Sequence, residues 1–344
     1  LSFVSPRVTV DAFEEQAMRL GNWAFVLGDF EALTARLIAA GIVIRLDDDR
    51  ANLAEGREIR EFRDFMIQLR RRQTAADEAL AAGALAEEQL AATTGQRRTR
   101  VVPVNSEGYP LPSLGLLMAY AMDFEGGRLN DHYDFVRDWL DRTVPALTGD
   151  EPPGIYLFSN YIWSHAENVL RSAEVKAKSP NSLTVHGGPN TPKYDDDVAT
   201  YFASNPHVDI AVHGEGEVTF ADLLDTLVGC LGNGPPDLSG LRDVPGLIYR
   251  DGDELVRTGK RDRVADLDTI PSPYTTGLFD SIGQSEIPLM TVETNRGCPY
   301  GCTFCDWGSA TMSRMRKFDL QRVYDELEWC AKNKVKVIFC ADSN

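Results

Sequence analysis

Cys298, Cys302 and Cys305 stand at the spacing C-x3-C-x2-C, in the run Cys298-Pro299-Tyr300-Gly301-Cys302-Thr303-Phe304-Cys305. Gly297, Pro299 and Gly301 favour a tight loop, which can aim three thiolates at one point where a helix or strand at this spacing cannot. Three thiolates suit an iron–sulfur cluster. A four-iron cubane held this way keeps one iron without a protein ligand, open to a small chelating molecule. A zinc knuckle or three reduced core cysteines are the alternatives. Zinc takes four ligands, often from paired C-x2-C units. No nearby His or Cys offers an obvious fourth, since Cys330 falls in a predicted helix and Cys340 ends a predicted strand.

These cysteines need elements to hold them. The apolar run 289–294 predicts a strand leading into the loop. Asp319 is placed to cap a helix carrying Leu320, Val323, Leu327 and Cys330, and 335–339 predicts a second strand. Upstream, 99–228 alternates strand and helix: strands at 100–104, 155–158, 183–186 and 208–212, helices at 111–122, 165–178 and after 217. Apolar strands separated by helices predict an α/β fold with a parallel sheet covered on both faces. Ligands of such sheets bind beyond the carboxyl ends of the strands. The turns Ser159-Asn160-Tyr161-Ile162-Trp163, Gly187-Gly188-Pro189 and Gly214-Glu215-Gly216-Glu217 fall there. Their glycines let backbone approach a large flat ligand or its phosphate tail. Between the two parts, 247–256 predicts a hairpin around Asp251-Gly252 and 266–274 an extended Pro-rich linker.

The cysteine loop resembles the cluster motif of the radical S-adenosylmethionine (SAM) enzymes, and Phe304 matches the aromatic that family places before its third cysteine. The resemblance implies a 4Fe-4S cluster on Cys298, Cys302 and Cys305, with SAM on the open iron and Phe304, Asp342 and Asn344 near it. Asp342-Ser343-Asn344 departs from the Gly-Gly-Glu many relatives carry at that place. A second resemblance rests on four motifs in order: the 110–115 run with Leu114 and Gly115, the Ser159–Trp163 turn, Gly-Gly-Pro and Gly-Glu-Gly-Glu. Together they are similar to the cobalamin (B12)-binding domain that precedes the radical SAM barrel in one branch of that family. It implies cobalamin contacts from Leu114, Gly115, Ser159, Asn160, Tyr161, Trp163, Gly187, Gly188, Pro189, Gly214, Glu215, Gly216 and Glu217. Some cobalamin domains present a histidine to cobalt from Asp-x-His-x-x-Gly. Asn130-Asp131-His132-Tyr133 does not match it, so no histidine ligand is expected. His165, His186, His207 and His213 read as surface or core residues, with His186 and His213 nearest the ligand-facing turns.

The resulting organisation is a mostly helical extension over 1–98 and a flavodoxin/Rossmann-like cobalamin-binding domain over 99–230. A linker with a hairpin follows over 231–288, then the start of a radical SAM (β/α) partial barrel over 289–344. The first residue is Leu1 and the last five follow an apolar strand, so a fragment of a longer protein is expected. A formal net charge of −17 argues against broad phosphate-backbone binding. The basic runs Arg70-Arg71-Arg72 and Arg97-Arg98-Thr99-Arg100 read as a solvated helix face and a linker. No apolar run reaches membrane-span length, and six cysteines, three of them clustered, fit a reducing cytoplasm. The resemblance implies an enzyme that cleaves SAM reductively and methylates an unactivated centre of a small-molecule or peptide substrate through methylcobalamin. Flavodoxin or ferredoxin would donate electrons. Radical rearrangement or cyclisation, and a non-catalytic cobalamin- or cluster-binding module, are the alternatives.

Overall fold

The computed structural model describes residues 98–105, 111–137, 139, 152–231, 234–282, 287, 289–302 and 313–342. The chain divides into two units, Leu1–Thr93 and Thr94–Asn344, and all that follows concerns the second. The helical reading of the first 97 residues lies outside the described residues, as do Phe304, Cys305, Ser343 and Asn344.

A seven-stranded sheet dominates the described residues. Its strands are β1 (Thr99–Val104), β2 (Tyr133–Phe135), β3 (Ile155–Ser159), β4 (Leu183–Gly187), β5 (Ile210–Val212), β6 (Leu247–Asp251) and β7 (Glu254–Arg257), in the order β2-β1-β3-β4-β5-β6-β7. The first five are parallel, and β6 and β7 add antiparallel at the edge beside β5. The expected parallel α/β sheet is present, and the predicted hairpin extends it.

Alternation along the strands explains the two covered faces. Val101, Ile155, Leu157, Val185 and Val212 point to one face, under α1 (Pro112–Gly127) and α4 (Gly216–Thr226). Val102, Val104, Tyr156 and Phe158 point to the other, with Val175 of α2 (His165–Lys178). Val198, Tyr201 and Phe202 of α3 (Asp195–Ser204) cover that side farther along, over Ala211 and Ile248.

Beyond the sheet, β8 (Leu289–Val292) pairs in parallel with β11 (Val337–Cys340). Between them lie β9 (Asn295–Arg296), β10 (Arg316–Lys317) and α5 (Leu320–Lys332). Asp319 caps α5 as expected, its carboxylate accepting from Gln321 N–H at 2.8 Å. The segment predicted as an extended linker is instead a packed strap. Ile270, Tyr274, Leu278 and Phe279 are all buried. Trp139 Nε1–H donates to Leu278 O at 3.0 Å, and the Trp139 ring meets Phe279 edge-on at 4.9 Å. Tyr274 packs edge-on against both Phe279 and Trp329 of α5. The prolines signalled extension, but the apolar residues among them find a hydrophobic surface on either side. No helix among the described residues is long and apolar enough to cross a membrane.

Candidate functional site

The order β2-β1-β3-β4-β5 reverses direction between β1 and β3, so the crevice of this sheet opens beyond their carboxyl ends. Asn105 follows β1 and Ser159 ends β3, and the Ser159 hydroxyl lies 2.9 Å from that of Ser113 in the first turn of α1. Leu114 and Gly115 serve packing. Leu114 is in the core, and a Cβ on Gly115 would meet Phe279 at 2.6 Å and Pro273 at 3.0 Å. A side chain there would lift the strap off α1.

The turns after β3 and β4 interlock. Asn160 N–H donates to Gly187 O at 2.7 Å, and Asn190 N–H donates to Asn160 O at 2.9 Å. Gly188 has φ +90°, and a Cβ on it would lie 2.8 Å from Asn160 N and O. Only glycine fits that closeness in that conformation. The Asn160 side chain is fully buried. Its Oδ1 accepts from Asn168 at 3.0 Å, and its Nδ2 reaches Thr191 Oγ1 and His186 Nδ1, both at 3.2 Å. His186 stacks on Phe158 at 4.5 Å and is wholly buried, and its Nε2 has no protein partner. Burial first, then the positive fields of His207 and His165, push its pKa down to about 3. It is a neutral core residue that props Asn160. Burial likewise takes His213 down to about 4.

What these turns leave outside is apolar and open. Ile162 and Trp163 are 80% and 66% exposed, and Trp163 stacks on Tyr161 at 5.0 Å with the rings 10° apart. Gly188 and Pro189 are exposed on the neighbouring strand end. Gly214, after β5, has φ +82° with open space where a side chain would stand. Gly216 instead packs helix on helix, its Cβ position 2.8 Å from Leu117. The rim thus offers a flat aromatic pair and bare backbone across three adjacent strand ends.

The carboxylates of Gly214-Glu215-Gly216-Glu217 are already engaged. Glu217 accepts from Arg296 at 2.7 Å, and Arg296 also donates to Glu293 at 2.9 Å. Glu215 accepts from Arg316 through both oxygens, one bond at 2.9 Å, and from Val264 N–H at 3.0 Å. The expectation that these two side chains meet the sheet's ligand therefore finds them turned toward the cysteine segment. Sequence reasoning missed Arg296, Arg316 and Glu293, because nothing local marks partners 79 and 101 residues away.

Arg296 and Arg316 sit on β9 and β10, which pair antiparallel; the segment 297–315 between them carries the three cysteines, and 297–302 and 313–315 of it lie among the described residues. Gly297 closes the base at φ +100°, its Cβ position 2.5 Å from Arg314 O. Ser313 fastens the loop to Cys298 twice: its N–H donates to Cys298 O at 2.8 Å, and its Oγ accepts from Cys298 N–H at 3.2 Å. Cys298 is half-buried and Cys302 exposed. Two soft donors on a loop pinned at its neck suit a cluster. Cys330 is fully buried in α5, and burial raises its thiol to about 11, which makes it a poor fourth ligand for zinc. Asp342 lies past β11, where the SAM contact was expected. Its carboxylate accepts from Thr294 N–H at 2.7 Å, from Asn295 N–H and Nδ2–H at 3.1 and 2.8 Å, and from the Thr294 hydroxyl. Burial opposes its charge, but these hydrogen bonds win and hold its pKa below the usual carboxylate value. It welds the ends of β8 and β11 at the threshold of the loop.

A small cavity beside this threshold is lined by Thr291, Glu293, Phe318, Arg322 and Glu326, among others. Burial raises Glu293 to about 7 against the attraction of Arg296, and the neighbouring charges of Glu217 and Asp342 add to the rise.

No family model matches the chain. Over 264 residues it is 38% identical to a cobalamin-dependent radical SAM methyltransferase, TokK, of Streptomyces tokunonensis; the match covers 74% of this chain and 37% of that protein. Over 237 residues it is 36% identical to the 2-(S-pantetheinyl)-carbapenam-3-carboxylate methyltransferase of Streptantibioticus cattleyicolor, covering 67% of this chain and 33% of that protein. The chain thus spans about a third of the length of these relatives. Among solved structures, the radical SAM methyltransferase TsrM of Kitasatospora setae, with cobalamin and a [4Fe-4S] cluster bound, aligns at a TM-score of 0.47 and 17% identity. That alignment covers 72% of this chain and 49% of TsrM.

Proposed function

We propose, for a chain that belongs to the cobalamin-binding radical SAM proteins, that it forms the cofactor-holding part of a methyltransferase acting on a small molecule. The observation that carries the reading is the pairing, in one compact unit, of an open sheet rim with a three-cysteine loop pinned at its neck. In this reading Cys298, Cys302 and Cys305 hold a 4Fe-4S cluster. The rim formed by Tyr161, Trp163, Gly188, Pro189 and Gly214 takes a face or tail of cobalamin. Cluster and SAM supply a carbon radical, and cobalamin supplies a transferable methyl group.

The chain's own residues do the positioning. The Tyr161–Trp163 stack offers a flat apolar surface that sheds water when a large ring covers it. The Asn160–Gly188 interlock fixes the height of that surface, so little ordering is left to binding. Asp342 and Gly297 hold the two ends of the passage from β8 into the loop. Electrons would come from a small reductase partner such as flavodoxin or ferredoxin, and the chemistry calls for a reducing cytoplasm.

The test uses the enzyme that carries this chain, reconstituted anaerobically with iron and sulfide, and titrated with hydroxocobalamin. Bound iron, 5′-deoxyadenosine release and passage of label from methyl-labelled SAM into a small-molecule acceptor are the expected results. Trp163→Ala should weaken corrinoid binding about tenfold, or about 1.4 kcal/mol, with iron content unchanged. Protein that holds no iron overturns the reading. So does turnover that yields 5′-deoxyadenosine while the label never leaves SAM-derived methionine.

A further inference from the structure

Arg296 and Arg316 stand directly opposite each other on the β9–β10 ribbon. Like charges so placed repel, and here both side chains are only 11% exposed. The ribbon holds because one four-residue turn supplies a carboxylate to each arginine. Glu217 takes Arg296 and Glu215 takes Arg316, the latter through both oxygens. These glutamates are 6% and 12% exposed, so water screens neither pair well. The same turn begins at Gly214, which is part of the open rim of the sheet. The neck of the cysteine loop is therefore bolted to one of the strand ends that form the other half of the proposed site.

We propose that Glu215 and Glu217 are positioning residues that set where the cysteine loop stands relative to the rim of the sheet, and that they contact neither cofactor through their carboxylates. The proposal rests on the reading above only in that the loop is taken to hold a cluster. Loss of either charge leaves two facing guanidinium groups with one carboxylate fewer between them. The ribbon then parts, and the two ends of the loop, 297–302 and 313–315, lose their anchor to the turn. Glutamine at either position keeps the shape and removes the charge, so it isolates this effect.

The experiment compares the enzyme with Glu215→Gln, Glu217→Gln and the exchanged pair Glu215→Arg/Arg316→Glu. Hydrogen–deuterium exchange is read on the iron-free protein, and the electron paramagnetic resonance spectrum of the reduced, SAM-loaded cluster on the reconstituted one. Each glutamine variant is expected to speed exchange in 297–315 at least tenfold, leave β3 and β4 as they were, and shift the SAM-loaded spectrum. The exchanged pair, which restores opposite charges, is expected to return both towards the parent. Variants that melt at a lower temperature but keep parental loop exchange and spectrum would make the pairs mere fold glue and overturn the proposal. Protein that binds no iron but shows faster loop exchange in the variants would sink the cluster reading and leave the clamp standing.

Discussion

The sharpest consequence of the rim's construction concerns His186. Its side chain has no exposure, its Nδ1 accepts from Asn160 Nδ2 at 3.2 Å, and burial takes its pKa from 6.5 to about 3. A proton on it would turn that acceptor into a donor facing a donor. The unfolded chain takes the proton readily at its ordinary pKa, the folded one does not. The stability from this residue is therefore complete above pH 6.5 and is lost progressively as pH falls toward 3. At pH 5 the loss is about 1.36 × 1.5, or about 2 kcal/mol. Urea unfolding at pH 7 and pH 5 measures it, with His186→Gln as the control because glutamine keeps an acceptor and cannot titrate. His165, His207 and His213, whose pKa values are also lowered, stay in both proteins and cancel in the difference. The parent should lose about 2 kcal/mol more than the variant between the two pH values. Corrinoid affinity should hold over the same range, because the folded protein keeps His186 neutral until the pH nears 3. Equal pH dependence in the two proteins, within about 0.5 kcal/mol, would refute the account of a neutral histidine holding that turn.

Two further outcomes follow from the same geometry. Gly188 and Gly214 both have left-handed backbone, but only Gly188 is crowded. Gly214→Ala should cost about 1 kcal/mol and Gly188→Ala about 3 kcal/mol in urea unfolding, and equal costs would show that the Asn160 interlock is not tight. Glu293 behaves oppositely to His186. Its pKa is raised to about 7, so its contribution is complete below pH 4.5 and lost as pH rises through 7. Glu293→Gln should remove that decline, a gain over the parent of at most about 3 kcal/mol at pH 8 relative to pH 4.5. A parent whose stability does not fall between those pH values would contradict the burial assigned to this carboxyl.

Much of the sheet was legible because its strands are short apolar runs bounded by polar turns. β1, β3, β4 and β5 all lie within a residue or two of where the sequence put them, and α2 matches at both ends. β2 was missed, since three residues carry too little pattern. So was α3, although Val198, Tyr201 and Phe202 have helical spacing behind an acidic first turn. In the candidate site, the glycines and the aromatic turn were visible as residue types. Their division of labour was not. Whether a glycine faces a ligand, as Gly214 does open space, or a helix, as Gly216 does Leu117, depends on what packs above it. Whether a glutamate meets a ligand or an arginine depends on chain a hundred residues further on.

The packed strap from Ile270 to Phe279 bears on how this protein can be taken apart. A sequence-guided cut in the Pro-rich stretch would look safe. It would leave Trp139 on one fragment and its partners Leu278 and Phe279 on the other. Each half would carry away a newly wetted aromatic wound. Chimeras that exchange the sheet while keeping the cysteine segment must therefore transplant the strap together with α1, whose Gly115 is cut to its measure.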